Sequence, residues 1–146
     1  MWAMQLFISS AMLAELQQLA LAAVPQEICG ILLGRDGRVD SYRAAQNVAD
    51  NPLRHFEIDP AILIAAERGQ RDGGELILGY YHSHPGGAVD PSQTDADSAA
   101  PDGRLWLILN GQDAAAWHAI ENGEVYGRFR AILLDCPGAK GLTAAE

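Results

Sequence analysis

The sequence has few of the features that mark secreted or membrane proteins. It contains only two cysteines, Cys29 and Cys136, and because they form no Cys-x-x-Cys pair we expect reduced thiols in the cytoplasm. No lysine or arginine precedes Arg35, so the apolar N-terminal stretch lacks the positively charged region of a signal peptide. Three polar residues between positions 15 and 18 interrupt that stretch, which argues against a membrane-spanning helix.

Basic residues are also scarce. Ten lysines and arginines against nineteen acidic residues give a formal net charge of −9. A surface that negative repels phosphate backbones and anionic lipids, so the sequence predicts no nucleic-acid partner and no membrane partner. With 146 residues, 49% of them hydrophobic, the chain is expected to bury one core without needing disulfides or a metal for folding.

Helical patterns occur at three places. A helix capped by Ser9 or Ser10 is predicted to run up to Pro25, and a second from Pro60, capped by Asp59, to about Arg71. A short third helix is expected over residues 92–99. The predicted buried positions of the first two helices are Leu13, Leu16, Leu19, Ala20, Ala23, Ile62, Leu63, Ala65 and Ala66.

Strand patterns alternate with these helices. Strands are predicted over residues 28–34, 39–44, 75–83 and 105–109, with an Asp36-Gly37 turn between the first two. A hairpin over residues 114–133 is expected to reverse at Asn122-Gly123. These elements predict one α/β domain over residues 1–136, with a mixed, largely antiparallel sheet flanked by helices. Residues 137–146 are expected to be a disordered tail.

The residues best suited to chemistry lie just after the predicted 75–83 strand. His82 and His84 are two positions apart, so both imidazoles leave the same face of the sheet. Asp95 lies in the first turn of the short helix and brings a carboxylate towards them. Two imidazoles and one carboxylate, with a fourth position open to water, are the ligands of a catalytic zinc ion. The sequence therefore predicts one zinc per chain, with a bound water.

A hydrolytic zinc site also needs a base that is not a ligand. Glu27 is the candidate, because it stands beside a buried strand where a carboxylate is otherwise unfavourable, although a plain surface carboxylate is the alternative. Ser92 is the candidate donor to the oxyanion, and Ser92-x-x-Asp95 also matches a helix capping box. Cys29 is expected to be a small buried residue and not a fourth ligand.

These residues together reproduce the signature E…H-(S/T)-H-x7-S-x2-D, with Glu27, His82, Ser83, His84, Ser92 and Asp95. The chain thereby resembles the JAMM metalloproteases, the MPN+ branch of the Mov34/MPN/PAD-1 family. The resemblance covers roughly residues 10–133 and includes the runs 25–34 and 56–60, the latter similar to bacterial members. It implies an MPN domain in which both histidines and Asp95 bind zinc, Glu27 is the general acid/base and Ser92 the oxyanion donor.

The resemblance also implies a substrate class. The family cleaves peptide or isopeptide bonds after the C-terminal tail of ubiquitin-like proteins, and some compact bacterial members act on sulfur-carrier proteins. Only a few residues separate Asp95 from the 105–109 strand, so the insertions of eukaryotic members are missing. Two alternatives remain: a non-catalytic MPN scaffold that binds proteins, and a zinc hydrolase of a small amide or cell-wall peptide. The sequence predicts no particular oligomeric state.

Overall fold

Seven strands and three helices make up residues 5–137, the part of the chain that this computed structural model describes. Apart from Pro137, the predicted C-terminal tail lies outside the described residues. In chain order the elements are β1 (Gln5–Phe7), α1 (Ser10–Ala23), β2 (Cys29–Arg35), β3 (Arg38–Ala45), α2 (Pro60–Arg71), β4 (Leu76–Ser83), α3 (Gln93–Ser98), β5 (Leu105–Leu109), β6 (Ala114–Gly123) and β7 (Gly127–Asp135).

The first two helices begin where their capping residues predict. The Ser9 side chain accepts a hydrogen bond from the Met12 N–H at the start of α1, and the Asp59 side chain accepts one from the Ala61 N–H at the start of α2. The sequence predicted too many buried positions on α1 and α2. Leu19 is 42% exposed and Ala65 is also exposed, because only the central row of each helix faces the sheet. No helix among residues 5–137 combines the length and apolar character needed to cross a membrane.

The sheet is mixed, as predicted, and it closes on itself in the order β1-β3-β2-β4-β5-β6-β7. Four of the seven pairings are antiparallel, and β1 closes the ring by pairing in parallel with both β3 and β7. The strand β1, and with it the closure of the sheet, was not predicted from the sequence. A three-residue strand is too short to show a periodic pattern of its own.

The C-terminal hairpin is confirmed, but its predicted turn is in the wrong place. β6 continues through Asn122 to Gly123, and the chain reverses between Gly123 and Gly127. Asn122 does have a positive φ of 59°, but it lies in a register shift between Ala119 and Gly123. Asn122 thus supplies left-handed backbone at an irregularity of the β6–β7 pairing and not at the turn itself.

The central strand β4 separates two layers of core. Tyr81 points into a cluster that α1 covers through Leu13, Leu16 and Ala20. Its neighbours along the strand point to the opposite side, where α2 and α3 pack over smaller clusters. His82 therefore emerges on the side covered by α2 and α3, with Cys29 of β2 and Ile108 of β5 as its partners in the register.

Candidate metal centre

The two histidines lie at the end of β4 with their rings directed to one point. His82 is completely buried and the His84 side chain is 14% exposed. The backbone stays extended past the strand because the His84 N–H donates to the Leu109 carbonyl. Ser83, between them, points away and accepts a hydrogen bond from the Ile28 N–H at 2.8 Å. The two Nε2 atoms consequently lie 3.1 Å apart.

Asp95 reaches the same point from the first turn of α3. The Asp95 N–H donates to Ser92 Oγ, and the Ser92 N–H donates back to Asp95 Oδ2, each at 3.0 Å. This reciprocal capping box fixes the carboxylate at the helix start. Asp95 Oδ2 lies 3.2 Å from the Nε2 atom of His82 and 3.2 Å from that of His84.

The three atoms form a nearly equilateral triangle with sides of 3.1–3.2 Å. Tetrahedral zinc, with ligand bonds of about 2.0–2.2 Å, separates its ligand atoms by about 3.3–3.5 Å, so the triangle has nearly the required size. Glu27 lies close by. Glu27, His82 and His84 each offer one ligand atom, and these three atoms lie within 4.8 Å of one another. The cluster is therefore close enough to bind a metal ion.

The charges of the cluster suit a cation. Burial lowers the pKa of His82, which keeps its imidazole neutral, as a metal ligand must be. Burial alone would raise the pKa of Asp95, but its hydrogen bonds with His82 and His84 outweigh burial and lower it. Burial likewise opposes charge on His84, yet Asp95 and the Ala88 carbonyl raise its pKa overall. An ionised carboxylate thus lies between two imidazoles.

The two imidazoles are oriented by different means. His84 Nδ1 lies 2.8 Å from the Ala88 carbonyl, a contact that turns Nε2 towards the cluster. His82 Nδ1 is buried and has no hydrogen-bond partner among the described residues. Phe56 instead stacks on the His82 ring at 4.3 Å between centroids, and Trp106 meets it edge-on at 5.5 Å. No motif in the sequence predicted these two ring contacts with His82.

Glu27 lies just before β2 and is anchored through its backbone. Its N–H donates to the Pro52 carbonyl at 2.8 Å, and its carbonyl accepts from Asn47 Nδ2 at 2.9 Å. The side chain is only 6% exposed, and Oε1 has no hydrogen-bond partner among the described residues. Burial raises the pKa of Glu27 to about 7, with His84 lowering it and Asp95 raising it further. Such a carboxyl exchanges a proton near neutral pH.

An open cavity of about 380 Å³ adjoins these groups. Glu27, His84 and Ser92 line it together with a loop and the segment after β4, which contribute Leu53, Arg54, His55, Pro85 and Thr94. No local sequence pattern marks Arg54 or His55, because hydrogen bonds between segments distant in sequence, from Glu27 to Pro52 and from Asn47 to Glu27 and His55, bring the loop to the cavity. A substrate bound in this cavity would contact Glu27 and Ser92 at once.

Cys29 lies next to this centre and is a buried free thiol, as expected. Burial, assisted by the negative charge of Glu27, raises the pKa of Cys29 to about 12. Its sulfur donates weak hydrogen bonds to the carbonyls of Ala45 and Gln46 at 3.9 Å. A thiol that stays protonated is a poor nucleophile and a poor metal ligand.

Comparisons with known proteins identify related sequences. The family profile described as prokaryotic homologs of the JAB domain matches residues 9–122. The desampylase of Haloferax volcanii is 35% identical over 88 residues, which are 59% of this chain and 63% of that protein's length. The probable TtuB-protein conjugate cleaving protease of Thermus thermophilus is 31% identical over 75% of this chain and 80% of its own. The CysO-cysteine peptidase of Mycobacterium tuberculosis is 26% identical, with coverages of 61% and 62%.

Solved structures share the fold at lower identity. A protein of Desulfitobacterium hafniense, known from a solution structure, superposes with a TM-score of 0.75 at 24% identity and covers 94% of this chain and 95% of its own. A JAB1/MPN domain protein of Archaeoglobus fulgidus gives a TM-score of 0.56 at 17% identity, with coverages of 89% and 97%. These likenesses concern the fold alone.

Proposed function

The chain belongs to the family of prokaryotic JAB-domain homologues, and on that basis we propose that it is a zinc-dependent metalloprotease. Its substrate is the peptide or isopeptide bond at the C-terminal tail of a ubiquitin-like or sulfur-carrier protein. One observation carries the proposal. It is the 3.1–3.2 Å triangle of His82, His84 and Asp95 atoms, beside the buried Glu27, whose Oε1 has no hydrogen-bond partner within residues 5–137.

We assign His82, His84 and Asp95 as the zinc ligands and keep Glu27 outside the ligand set. The assignment is supported by spacing, since Asp95 Oδ2 is 3.2 Å from both imidazoles whereas the group that includes Glu27 spans up to 4.8 Å. Three neutral or anionic donors on one side leave the cavity side open to a substrate. Zinc held there would polarise the scissile carbonyl and bring the pKa of a nearby water towards neutrality.

Glu27 is the proton carrier in this proposal. Its carboxyl, with a pKa of about 7, accepts a proton from the attacking water and delivers it to the amine that leaves. The unpaired Oε1 atom supports this role, because a buried carboxylate oxygen without a partner is rare unless a substrate or water completes it. Anchoring of the Glu27 backbone to Pro52 and Asn47 holds the carboxyl in place.

Ser92 donates a hydrogen bond to the oxyanion. Its Oγ accepts the Asp95 N–H, which uses a lone pair and leaves the hydroxyl proton free to donate. Capping the helix and stabilising an oxyanion are therefore compatible tasks for one hydroxyl. Its position on the wall of the 380 Å³ cavity, together with Glu27, supports the second task.

The substrate class is inferred from the relatives. They are named a desampylase, a probable TtuB-protein conjugate cleaving protease and a CysO-cysteine peptidase, and these names agree with the ubiquitin-like or sulfur-carrier substrates that the resemblance implies. The cavity suits an extended tail because Glu27 and His84 both line it. The net charge of −9 makes nucleic acid and anionic membranes unsuitable partners.

Cleavage of a carrier protein with a C-terminal extension tests the proposal. We expect turnover by the purified chain, loss of turnover with a chelator, recovery with zinc, and no turnover by Glu27→Gln. Arg35→Gln, at the far end of β2 from Glu27, is the matched surface control and should behave as wild type. Turnover that persists in chelator, or in Glu27→Gln, contradicts the mechanism.

A further inference from the structure

The cavity beside Glu27 contains a fixed positive charge that the proposed mechanism does not use. Among the described residues lining this cavity, Arg54 is the only lysine or arginine. None of the ion pairs within residues 5–137 involves it. In a chain with nineteen acidic and ten basic residues, a cation that faces the cavity without an acidic partner is available to a ligand.

The backbone that carries Arg54 is held firmly in relation to Glu27. The Asn51 carbonyl accepts the N–H groups of Arg54 and His55 at 3.1 and 3.2 Å, which closes a tight turn. Within that turn, the Pro52 carbonyl accepts the Glu27 N–H at 2.8 Å. The backbone segments that carry Glu27 and Arg54 therefore belong to one hydrogen-bonded unit.

Arginine in such a place selects a planar anion. Its guanidinium presents parallel N–H donors that match the two oxygens of a carboxylate, and the pairing strengthens where the cavity excludes part of the water. Glu27 lines the same cavity, so a ligand there avoids repulsion when its negative charge lies near Arg54 and away from the Glu27 carboxyl. A cavity of about 380 Å³ has the size of a small-ligand pocket and does not fit a folded domain.

A substrate places a carboxylate there when the bond cut is the one before its last residue. The leaving nitrogen and the α-carboxylate are then joined through a single Cα, about 2.5 Å apart, so both must lie in the same cavity. When the leaving nitrogen belongs instead to a lysine side chain, four uncharged methylenes follow it. Only the first kind of substrate gives Arg54 a partner.

We propose that Arg54 binds the free α-carboxylate of the leaving residue, and that the chain preferentially releases a single C-terminal amino acid from a carrier tail. The inference rests on the proposed function and narrows its substrate class. In the reaction the terminal C–N amide bond breaks and the water oxygen bonds to the carbonyl carbon. The proton held by Glu27 goes to the leaving amine, which departs as a free amino acid.

A binding measurement tests the role of Arg54 separately from the catalytic step. In a zinc-loaded Glu27→Gln background, we would measure the affinity for carrier-tail peptides with one added alanine, ending either in a carboxylate or in a carboxamide. We expect about 10- to 100-fold tighter binding of the carboxylate, the usual worth of a charge-assisted hydrogen bond. Adding Arg54→Gln should reduce the carboxylate-to-carboxamide ratio to about one. Arg54→Lys should leave an intermediate ratio, and Arg35→Gln should leave it intact.

Turnover by the enzyme with native Glu27 completes the test. The carboxylate substrate should be cut faster than the carboxamide and faster than the same tail joined to a lysine ε-amine. Equal binding of the two peptides, or loss of both affinities in Arg54→Gln, overturns the role of Arg54. Preferred cleavage of the lysine-linked tail overturns the substrate class. Selective carboxylate binding without turnover of any substrate contradicts the proposed function and leaves the recognition role supported.

Discussion

The buried charge of Glu27 should destabilise the metal-free protein at neutral pH, so removing that charge should stabilise it. Glu27 is 6% exposed, and burial raises its pKa from 4.5 to about 7. Between these two pH values the folded protein keeps a proton that the unfolded chain has released. Stability that is present below pH 4.5 is therefore lost progressively as the pH rises through 7. Glu27→Gln has no such proton to lose.

The size of the effect follows from the same shift. A rise from 4.5 to about 7 corresponds to at most about 3 kcal/mol at pH 8, since one unit is worth about 1.4 kcal/mol. Water in the open cavity screens the charge, so we expect about 1–2 kcal/mol in practice. That is an increase in melting temperature of about 3–8 °C for a domain of this size.

Thermal and urea unfolding of chelator-treated wild type and Glu27→Gln, at pH 4.5 and pH 8, measure the effect. The variant should be the more stable protein at pH 8 and nearly equal to wild type at pH 4.5. Any constant cost of burying the glutamine amide cancels in the difference between the two pH values. Glu67→Gln, on the exposed side of α2, is the control and should show no such difference. A Glu27→Gln effect that is identical at both pH values refutes the reasoning.

Three further substitutions test the surroundings of the centre. Phe56→Leu removes the ring stacked on His82 and should weaken zinc binding about tenfold in chelator competition; unchanged affinity would show that stacking does not position the imidazole. Asn47→Ala removes the hydrogen bonds that the Asn47 amide donates to the Glu27 and His55 carbonyls and those it accepts from two backbone N–H groups. The free energy of unfolding measured in urea should fall by about 2–4 kcal/mol, and a fall below 1 kcal/mol would contradict the anchoring role of Asn47. Ser92→Ala should cost about 1 kcal/mol of stability as a lost helix cap and lower kcat about 100-fold, and an unchanged kcat would leave Ser92 as a cap only.

Local spacing explains why much of the site could be predicted from the sequence. His82 and His84 share a face because strand side chains alternate, and a capping box fixes Asp95 relative to Ser92. Both relations extend over only a few residues. Membership of the family, expected from the signature, is confirmed, as is the mixed and largely antiparallel sheet.

The features that could not be predicted depend on contacts between distant segments. β1 has only three residues, and its pairing with β7 joins the two ends of the described chain. Phe56 and Arg54 reach the centre because the loop before α2 is hydrogen-bonded to Glu27, a contact that no periodic pattern announces. A reversal was expected at Asn122-Gly123, but the chain continues in β6 to Gly123 because its register with the partner strand β7 shifts between Ala119 and Gly123.

The zinc content of the purified chain and three variants tests the central claim most directly. The account predicts about one zinc per wild-type chain and per Glu27→Gln chain, and almost none in folded His84→Ala or Asp95→Ala. This pattern would identify Asp95, and not Glu27, as the third ligand. A folded wild-type protein that takes up no zinc when it is supplied would contradict the account. So would a Glu27→Gln variant that loses the metal while Asp95→Ala retains it.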